Sequence, residues 1–275
     1  MSCSPALATA AGQNRNINRS EKSMNIQTRG IILKQIKLMN DRRMLMMFSE
    51  EKGKISVSAS QAGSGKKRAA LAYRPFTLGR YELYRAREIY SIQKAETLRS
   101  YFSIGEDIDK YLYASYALEF TEKLLPEEAP APGLFSLLTE FFSILEKRPG
   151  EYLFLVRAYQ LKAIQCCGYG PSLSGCVICG KPVEDGCFSV KAGGLVCPSC
   201  RQDIGLILQV GSDIIEKIKY ILKTPLKKIG KLYLDQASLK AISQLILQYL
   251  AYHMDIRDLK SEAFLSTDPS GAERK

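Results

Sequence analysis

The apolar positions along this chain change their period once, near residue 100, and that change divides it. Between Gln27 and about Thr97 the texture is β. Gly30–Ile36 and Arg43–Ser49 are β-branched or apolar runs, and Lys54–Ser60 alternates apolar with polar residues, as a half-buried strand does. Pro75–Tyr84 and Glu88–Ala95 predict two further strands. Asn40-Asp41, Glu51–Gly53 and the basic stretch Gly63–Arg68 supply the turns between them. Five short strands within about 70 residues fit a small barrel, of which the OB-fold is the five-stranded form. An SH3-like barrel is the structural alternative.

From Gly105 onward the spacing is helical. The pattern predicts helices over Asp107–Leu125, Leu134–Lys147, Glu151–Cys167, Asp203–Leu208, Asp213–Leu222 (capped by Ser212) and Ser238–Met254. Pro126–Pro132, Pro149-Gly150, Gly168–Pro171 and Pro225 interrupt them. The expected class is α+β and multidomain: an OB-fold nucleic-acid-binding domain over 24–100, a helical domain over 101–172 and 204–265, and a finger inserted at 173–203. Residues 266–275 read as a frayed tail. Residues 1–23, rich in Ala, Ser, Asn and Gln, read as a disordered extension without the apolar stretch of a secretory leader.

Composition changes this picture in one respect. The chain has 275 residues, 46% hydrophobic and 24% charged, which is ordinary and sufficient for two or three compact units. Its net charge of +11 is not ordinary and points to a polyanionic partner. No apolar run approaches the roughly 20 residues of a spanning helix, and no basic amphipathic helix suggests a membrane surface. Nucleic acid is the expected partner, and the cytoplasm the expected compartment. From Met24 to Thr97, fifteen Lys and Arg face six Asp and Glu, a local balance of +9. The candidate contacts are Arg29, Lys34, Arg42, Arg43, Lys52, Lys54, Lys66, Lys67, Arg68, Arg74, Arg80, Arg85 and Arg87. Tyr73, Phe76, Tyr81 and Tyr84 interleave with them, where rings either stack on unpaired bases or fill the barrel.

The sharpest chemical signal is Cys176-x2-Cys179, seventeen residues, Cys197-x2-Cys200. Two such knuckles aim four thiolates at one point and complete the tetrahedron that Zn2+ prefers. Gly180-Lys181-Pro182 and Gly193-Gly194 provide tight reversals. A site closed by four sulfurs has no open position to activate water, so the expected zinc is structural. Redox use of the C-x-x-C pairs and disulfide formation are the competing readings. Cys3, Cys166, Cys167 and Cys187 have no partner pattern; Cys166 and Cys167 are expected to be small core residues.

Catalytic constellations are absent from the sequence. It has one histidine, His253, at a helix end, where packing or capping is its expected role. Gly63–Arg68 lacks the spacing and the hydroxyl of a phosphate-binding P-loop, and no G-x-S-x-G occurs. Glu127-Glu128 and Asp107/Asp109 sit where solvation and helix-start pairing explain them.

With these pieces placed, the chain resembles the bacterial recombination mediator family RecO from about Gln27 to Leu265. The resemblance is carried by Thr28–Lys34, Phe48–Ser56, Arg74–Leu78, Tyr113–Tyr116, Arg157–Lys162 with Gly168–Pro171, the four-cysteine finger, His253 and Leu259–Ser261. The stretch after Lys37 departs from many relatives, although Asp41, Arg42 and Arg43 keep its acidic and arginine character. Some members have lost the finger cysteines; this chain keeps all four. The resemblance implies an N-terminal OB-fold, a helical domain, a zinc finger and no catalysis on covalent bonds. It implies binding to single- and double-stranded DNA, strand annealing, and contact with the acidic tail of single-strand-binding protein. It also implies cooperation with RecR in loading RecA. An acidic, apolar-ended tail would want an apolar groove edged by cations, and Arg157/Lys162 is the face the sequence offers. A translation-associated RNA-binding protein and a thiol-redox enzyme remain the alternatives.

Overall fold

The computed structural model describes residues 24–37, 43–59, 71–86, 89–183, 187–201, 207–208, 210–232 and 234–265. Five strands, β1 (Met24–Lys37), β2 (Arg43–Ser49), β3 (Gly53–Ala59), β4 (Thr77–Ala86) and β5 (Ile89–Ser100), close into a barrel in the order β1-β2-β3-β5-β4. All neighbours are antiparallel except β3 with β5. This order, in which β3 skips β4 to reach β5, is the Greek-key pattern of the OB-fold rather than the SH3-like alternative. β1 begins six residues earlier than the β-branched run at Gly30, because Met24–Ile31 also pairs with β4.

β1 holds two cores at once. Ile26 and Ile32 point inward with Leu45, Met47, Ile55, Val57, Tyr81, Leu83, Tyr90 and Ile92. Ile31 and Leu33 point outward, yet both are buried, because they join the core of the helical body together with Phe48 and Phe76. A bulge between Ile32 and Lys34 inserts Leu33 as an extra residue, so β1 bends where it meets the helices. Phe48 packs edge-on against Phe135 at 5.2 Å, and Phe76 against Phe142 at 5.8 Å. Phe76 takes a left-handed φ of 57° to turn its ring that way. That conformation costs about 1–2 kcal/mol, which burial of a large ring offsets.

The body comprises α1 (Ile108–Leu124), α2 (Pro132–Lys147), α3 (Tyr152–Cys166), α4 (Ser212–Lys223), α5 (Gln236–His253) and a final turn α6 (Glu262–Leu265), with 3-10 turns at Phe102–Glu106, Pro198–Cys200 and Leu226–Lys231. The Asp107 carboxylate caps α1 by accepting from the backbone N–H groups of Asp109 and Lys110 at 3.0 and 3.1 Å. α3 is the central rod. Phe154 to Ile164 are all buried, and α1, α2, α4 and α5 pack around it. Its polar residues are therefore satisfied internally. Arg157 pairs with Glu262, donates to Ser243 Oγ at 2.8 Å, and donates to Gln160 Oε1 at 2.8 Å. Gln160 in turn donates to the Tyr116 hydroxyl at 2.7 Å. Lys162 Nζ donates to the Leu222 carbonyl at 3.2 Å.

These contacts correct several sequence expectations. The Arg157/Lys162 face is no surface for an acidic tail, since both side chains are buried in the body. Cys166 is exposed and Cys167 half-buried, because the last turn of α3 runs past the edge of the core. Ile207–Leu208, expected to be helical, forms strand β8. The N-cap of α4 is Gly211, and Ser212 is its first residue, with no side-chain cap. The expected extension, the tail after 265, and most of Asp203–Leu208 lie outside the described residues.

A second seam joins the β2–β3 turn to the loop after α1. Glu128 N donates to the Lys54 carbonyl at 2.9 Å, and Lys54 Nζ donates to the Glu122 carbonyl at 3.1 Å and pairs with Glu127 at 3.3 Å. Gly53 has φ 70°, and a Cβ there would lie 2.0 Å from the Ala129 carbonyl oxygen. Gly53→Ala should therefore destabilise the protein by more than about 2 kcal/mol. A melting temperature lowered by at least about 4 °C is expected; an unchanged one would refute the close approach. Arg157→Ala should cost about 3 kcal/mol, because it takes the cation from the Glu262 carboxylate and the Arg157 donor from Gln160 Oε1. Chemical denaturation checks this, and a midpoint equal to that of the parent chain would count against the network.

Candidate metal centre and nucleic-acid surface

The finger is a three-stranded sheet, β7-β6-β8, formed by β6 (Cys187–Ser189), β7 (Gly194–Val196) and β8, with a knuckle on either side. In the first knuckle Cys176 N donates to the Lys181 carbonyl, and Gly180, at φ 73°, donates to the Cys176 carbonyl, both at 2.8 Å. The second closes by Cys200 N donating to the Cys197 carbonyl at 3.1 Å. Strand pairing brings the knuckles together: Val177 N donates to the Leu195 carbonyl at 2.8 Å, and Leu195 N to the Ser172 carbonyl at 3.0 Å. Gly194 lets those chains approach, since a Cβ there would lie 2.3 Å from the Ser172 oxygen.

The outcome is that the sulfurs of Cys176, Cys179, Cys197 and Cys200 all lie within 4.8 Å of one another. Cys179 Sγ and Cys197 Sγ are 3.8 Å apart. A tetrahedron with Zn–S bonds of about 2.3 Å has edges of about 3.8 Å. The donor set therefore fits a four-coordinate soft or borderline cation. Backbone N–H groups of Cys179 and Cys197, and that of Ile178, hold the Cys176 thiol below the ordinary thiol range. Cys200 is held above it, because it shares hydrogen bonds with the Cys197 and Cys179 sulfurs. Four sulfurs this close cannot all ionise without a cation among them, so metal uptake would release protons. Cys187 is buried on β6, with its sulfur 3.8 Å from the Val196 carbonyl, and stands apart from the four.

α5 carries the finger on its last two turns. The His253 Nε2–H donates to the Val190 carbonyl at 2.7 Å, and the Tyr249 hydroxyl donates to the Tyr169 carbonyl at 2.9 Å. The Tyr249 and His253 rings pack with centroids 4.3 Å apart, tilted by 37°. Helix-end packing, expected of the one histidine, is what it does.

Barrel cations divide into three groups. On the outer face of β1, β4 and β5, Arg29 lies opposite Arg80, and Arg80 opposite Glu96. Arg29 pairs with Glu50, Arg80 with Glu96 at 3.1 Å, and Lys94 with Glu82 at 3.0 Å. Arg85 pairs with Glu128 at 3.3 Å and lies over the Tyr90 ring. Lys54 belongs to the seam already described. The third group has no carboxylate partner among the described residues: Lys34 and Arg74, both exposed, and the half-buried Lys52. Lys34 and Arg74 sit near one end of the barrel. There Gln35 Nε2 donates to the Tyr73 carbonyl, and the register sets Lys37, Arg43 and Ala59 side by side. Arg42, Lys66, Lys67, Arg68 and Arg87 lie outside the described residues.

Exposed ion pairs are worth only about 0–1 kcal/mol. A phosphate can therefore replace Glu96 beside Arg80 at little cost, whereas Glu50, half-buried and bidentate on Arg29, is held more firmly. The acidic partners were not visible in the sequence, because they are set by cross-strand register and not by spacing. Of the aromatics, Tyr81 fills the barrel and donates to the Ala72 carbonyl at 2.5 Å, and Phe76 belongs to the seam. Neither can stack on a base. Tyr73 and Tyr84 are partly exposed.

Residues 24–101 match the family Recombination protein O N terminal, and residues 105–263 match Recombination protein O C terminal. Among similar proteins is the DNA repair protein RecO of Pelotomaculum thermopropionicum, 34% identical over 224 residues, which cover 81% of this chain and 86% of that protein. The RecO protein of Alkaliphilus metalliredigens is 28% identical over 233 residues, covering 84% and 95%. That of Thermoanaerobacter sp. is 27% identical over 241 residues, covering 88% and 97%. Both halves of the fold and nearly the whole length thus agree: this chain belongs to the RecO family of DNA repair proteins.

Proposed function

We propose that this protein is a non-catalytic, cytoplasmic DNA-binding mediator of recombinational repair. It anneals complementary single strands and helps load recombinase onto coated single-stranded DNA. The observation that carries this reading is the OB-type barrel with a +9 balance over residues 24–97, in a chain of the RecO family. Two DNA strands repel each other, and a cationic surface lowers that repulsion without any bond chemistry. Lys34 and Arg74 supply one such surface, and Arg42, Arg43, Lys66, Lys67 and Arg68 add to the positive charge of the same segment of chain. Arg80 extends it once a phosphate displaces Glu96, and Arg29, half of whose side chain is exposed, stands opposite Arg80 on β1. No helix need enter a groove, so binding depends on backbone charge and little on sequence. RecR, the acidic tail of single-strand-binding protein and, indirectly, RecA are the proposed protein partners. One structural Zn2+, held by Cys176, Cys179, Cys197 and Cys200, would clasp the finger and supply no reactive water.

Purified protein should accelerate pairing of complementary oligonucleotides without ATP, and duplex DNA should bind as well. Affinity for a single strand should fall with salt along a slope steeper than about −2, the value for three phosphate contacts. A pairing rate no faster than the spontaneous one at low salt would sink the reading, and a marked preference for RNA would redirect it to an RNA partner. Native mass spectrometry should find one zinc per chain and no disulfide; the opposite result would favour thiol chemistry. Cys197→Ser should weaken zinc retention by more than the 10–100-fold typical of losing an outer hydrogen-bond partner. Zinc content and melting behaviour unchanged in that variant would refute the four-sulfur site.

A further inference from the structure

Residues 101–275 carry twenty Lys and Arg against twenty-one Asp and Glu, so the part of the chain after the barrel is close to neutral as a whole. Its charge is nevertheless segregated. Between Ser212 and Lys231 six lysines face two acids, a balance of +4 within twenty residues. Lys217 and Lys219 are spoken for by Asp213 and Glu216 on the same helix. Lys223, Lys227 and Lys228 are exposed and have no carboxylate partner among the described residues.

The fold holds these cations on a firm surface. In the 3-10 turn after α4, Leu226 and Ile229 are buried in the body's core, which forces Lys227 and Lys228 outward. The Lys227 backbone N–H donates to Glu140 Oε1 at 3.2 Å, which fixes the turn against α2. Beside it lies an open depression of about 640 Å³, lined by Glu140, Ser143, Ile144, Lys147, Arg148 and Lys227. Lys147 is exposed and has no carboxylate partner among the described residues; Arg148 pairs with Glu151. Lys223 closes α4 four residues before Lys227, a reach of at most about 14 Å along the chain. Tyr220, exposed and three residues before Lys223, lies on the same helix face.

We propose that this surface, centred on Lys223, Lys227 and Lys228 with Lys147 beside them, is a second phosphate-binding face that holds a DNA strand apart from the barrel. Among the described residues Ile144 is the only apolar side chain lining the depression, which gives a peptide anchor little apolar floor, whereas compact, hydrated ammonium groups suit phosphates. The inference rests on the DNA-annealing reading and deepens it. Two strands must be held at once to be paired, and two separate cationic faces on one chain provide for that. Lysines near the ends of α2 and α4 also complement the helix dipoles. Dipole pairing does not account for Lys227 and Lys228, which lie outside both helices.

The test uses the full chain with Lys223→Gln, Lys227→Gln and Lys228→Gln combined, beside a barrel variant, Lys34→Gln with Arg74→Gln. Binding of a fluorescein-labelled oligothymidylate is followed across a salt series, and annealing of complementary oligonucleotides is timed. The body variant should flatten the salt slope by up to about 2, the share of three contacts to a single strand. It should also slow annealing several-fold, with melting temperature and zinc content unchanged. Its effect should add to that of the barrel variant, as for independent sites. A body variant with the parent's slope, affinity and annealing rate would overturn the second face while the annealing reading stands, and would leave the patch to an acidic protein partner. A parent chain that neither binds nor anneals would remove both.

Discussion

The structure depends on one strand having to satisfy two cores. β1 buries Ile26 and Ile32 inside the barrel and Ile31 and Leu33 against the helices, and the bulge that inserts Leu33 makes both possible. An outer barrel face is normally polar because water covers it. Here Ile31, Leu33, Phe48 and Phe76 give that face to the body instead, and aromatic pairs across the seam lock it. The Gly53–Ala129 approach and Lys54 add a second line of contact, made of backbone and charge. Barrel and body are thereby held in one orientation, which gives meaning to any surface that draws residues from both.

That rigidity bears on electrostatics. A net charge of +11 says that a polyanion is attracted, but not where it sits. On the outer face of β1, β4 and β5, Arg29, Arg80 and Lys94 each meet a glutamate, so the field there is weaker than the sequence balance suggests. Among the barrel cations without a carboxylate partner, Lys34 and Arg74 gather where β1 ends, and a separate set stands on the turn after α4. The annealing proposed above would bring two like-charged chains together, a task that two cationic regions on a stiff frame would suit better than one uniformly basic surface.

The finger is the third part of the same plan. Its strands β6 and β7 are only three residues long, and although Phe188, Leu195 and Val196 are buried, four sulfurs are what would hold its knuckles together. Docking through His253, Tyr249 and Val190 ties it to α5, so a metal bound by the four sulfurs would be linked to the body through one helix end. In the same way the Arg157 network ties α6 to the central rod, where a buried guanidinium satisfies groups from α1, α3 and α5 as well as Glu262.

By itself the sequence determined the class of each segment and the chemistry of the finger. Period-2 and 3.6-residue patterns are local, and C-x2-C spacing leaves the geometry little freedom, so the barrel, the helices and the four sulfurs were legible from residue order. Only the tertiary structure decided which charges remain uncompensated, because Arg29 meets Glu50 and Arg80 meets Glu96 through strand register. It also decided that Tyr81 and Phe76 are core, since alternation tells which residues share a face but not what covers that face. Arg157 and Lys162 looked like a surface pair for the same reason: helical spacing places them on α3, and only packing on every side of that helix buries them. Ile207–Leu208 became a strand because β6 offered an open edge, a partner that no local pattern records.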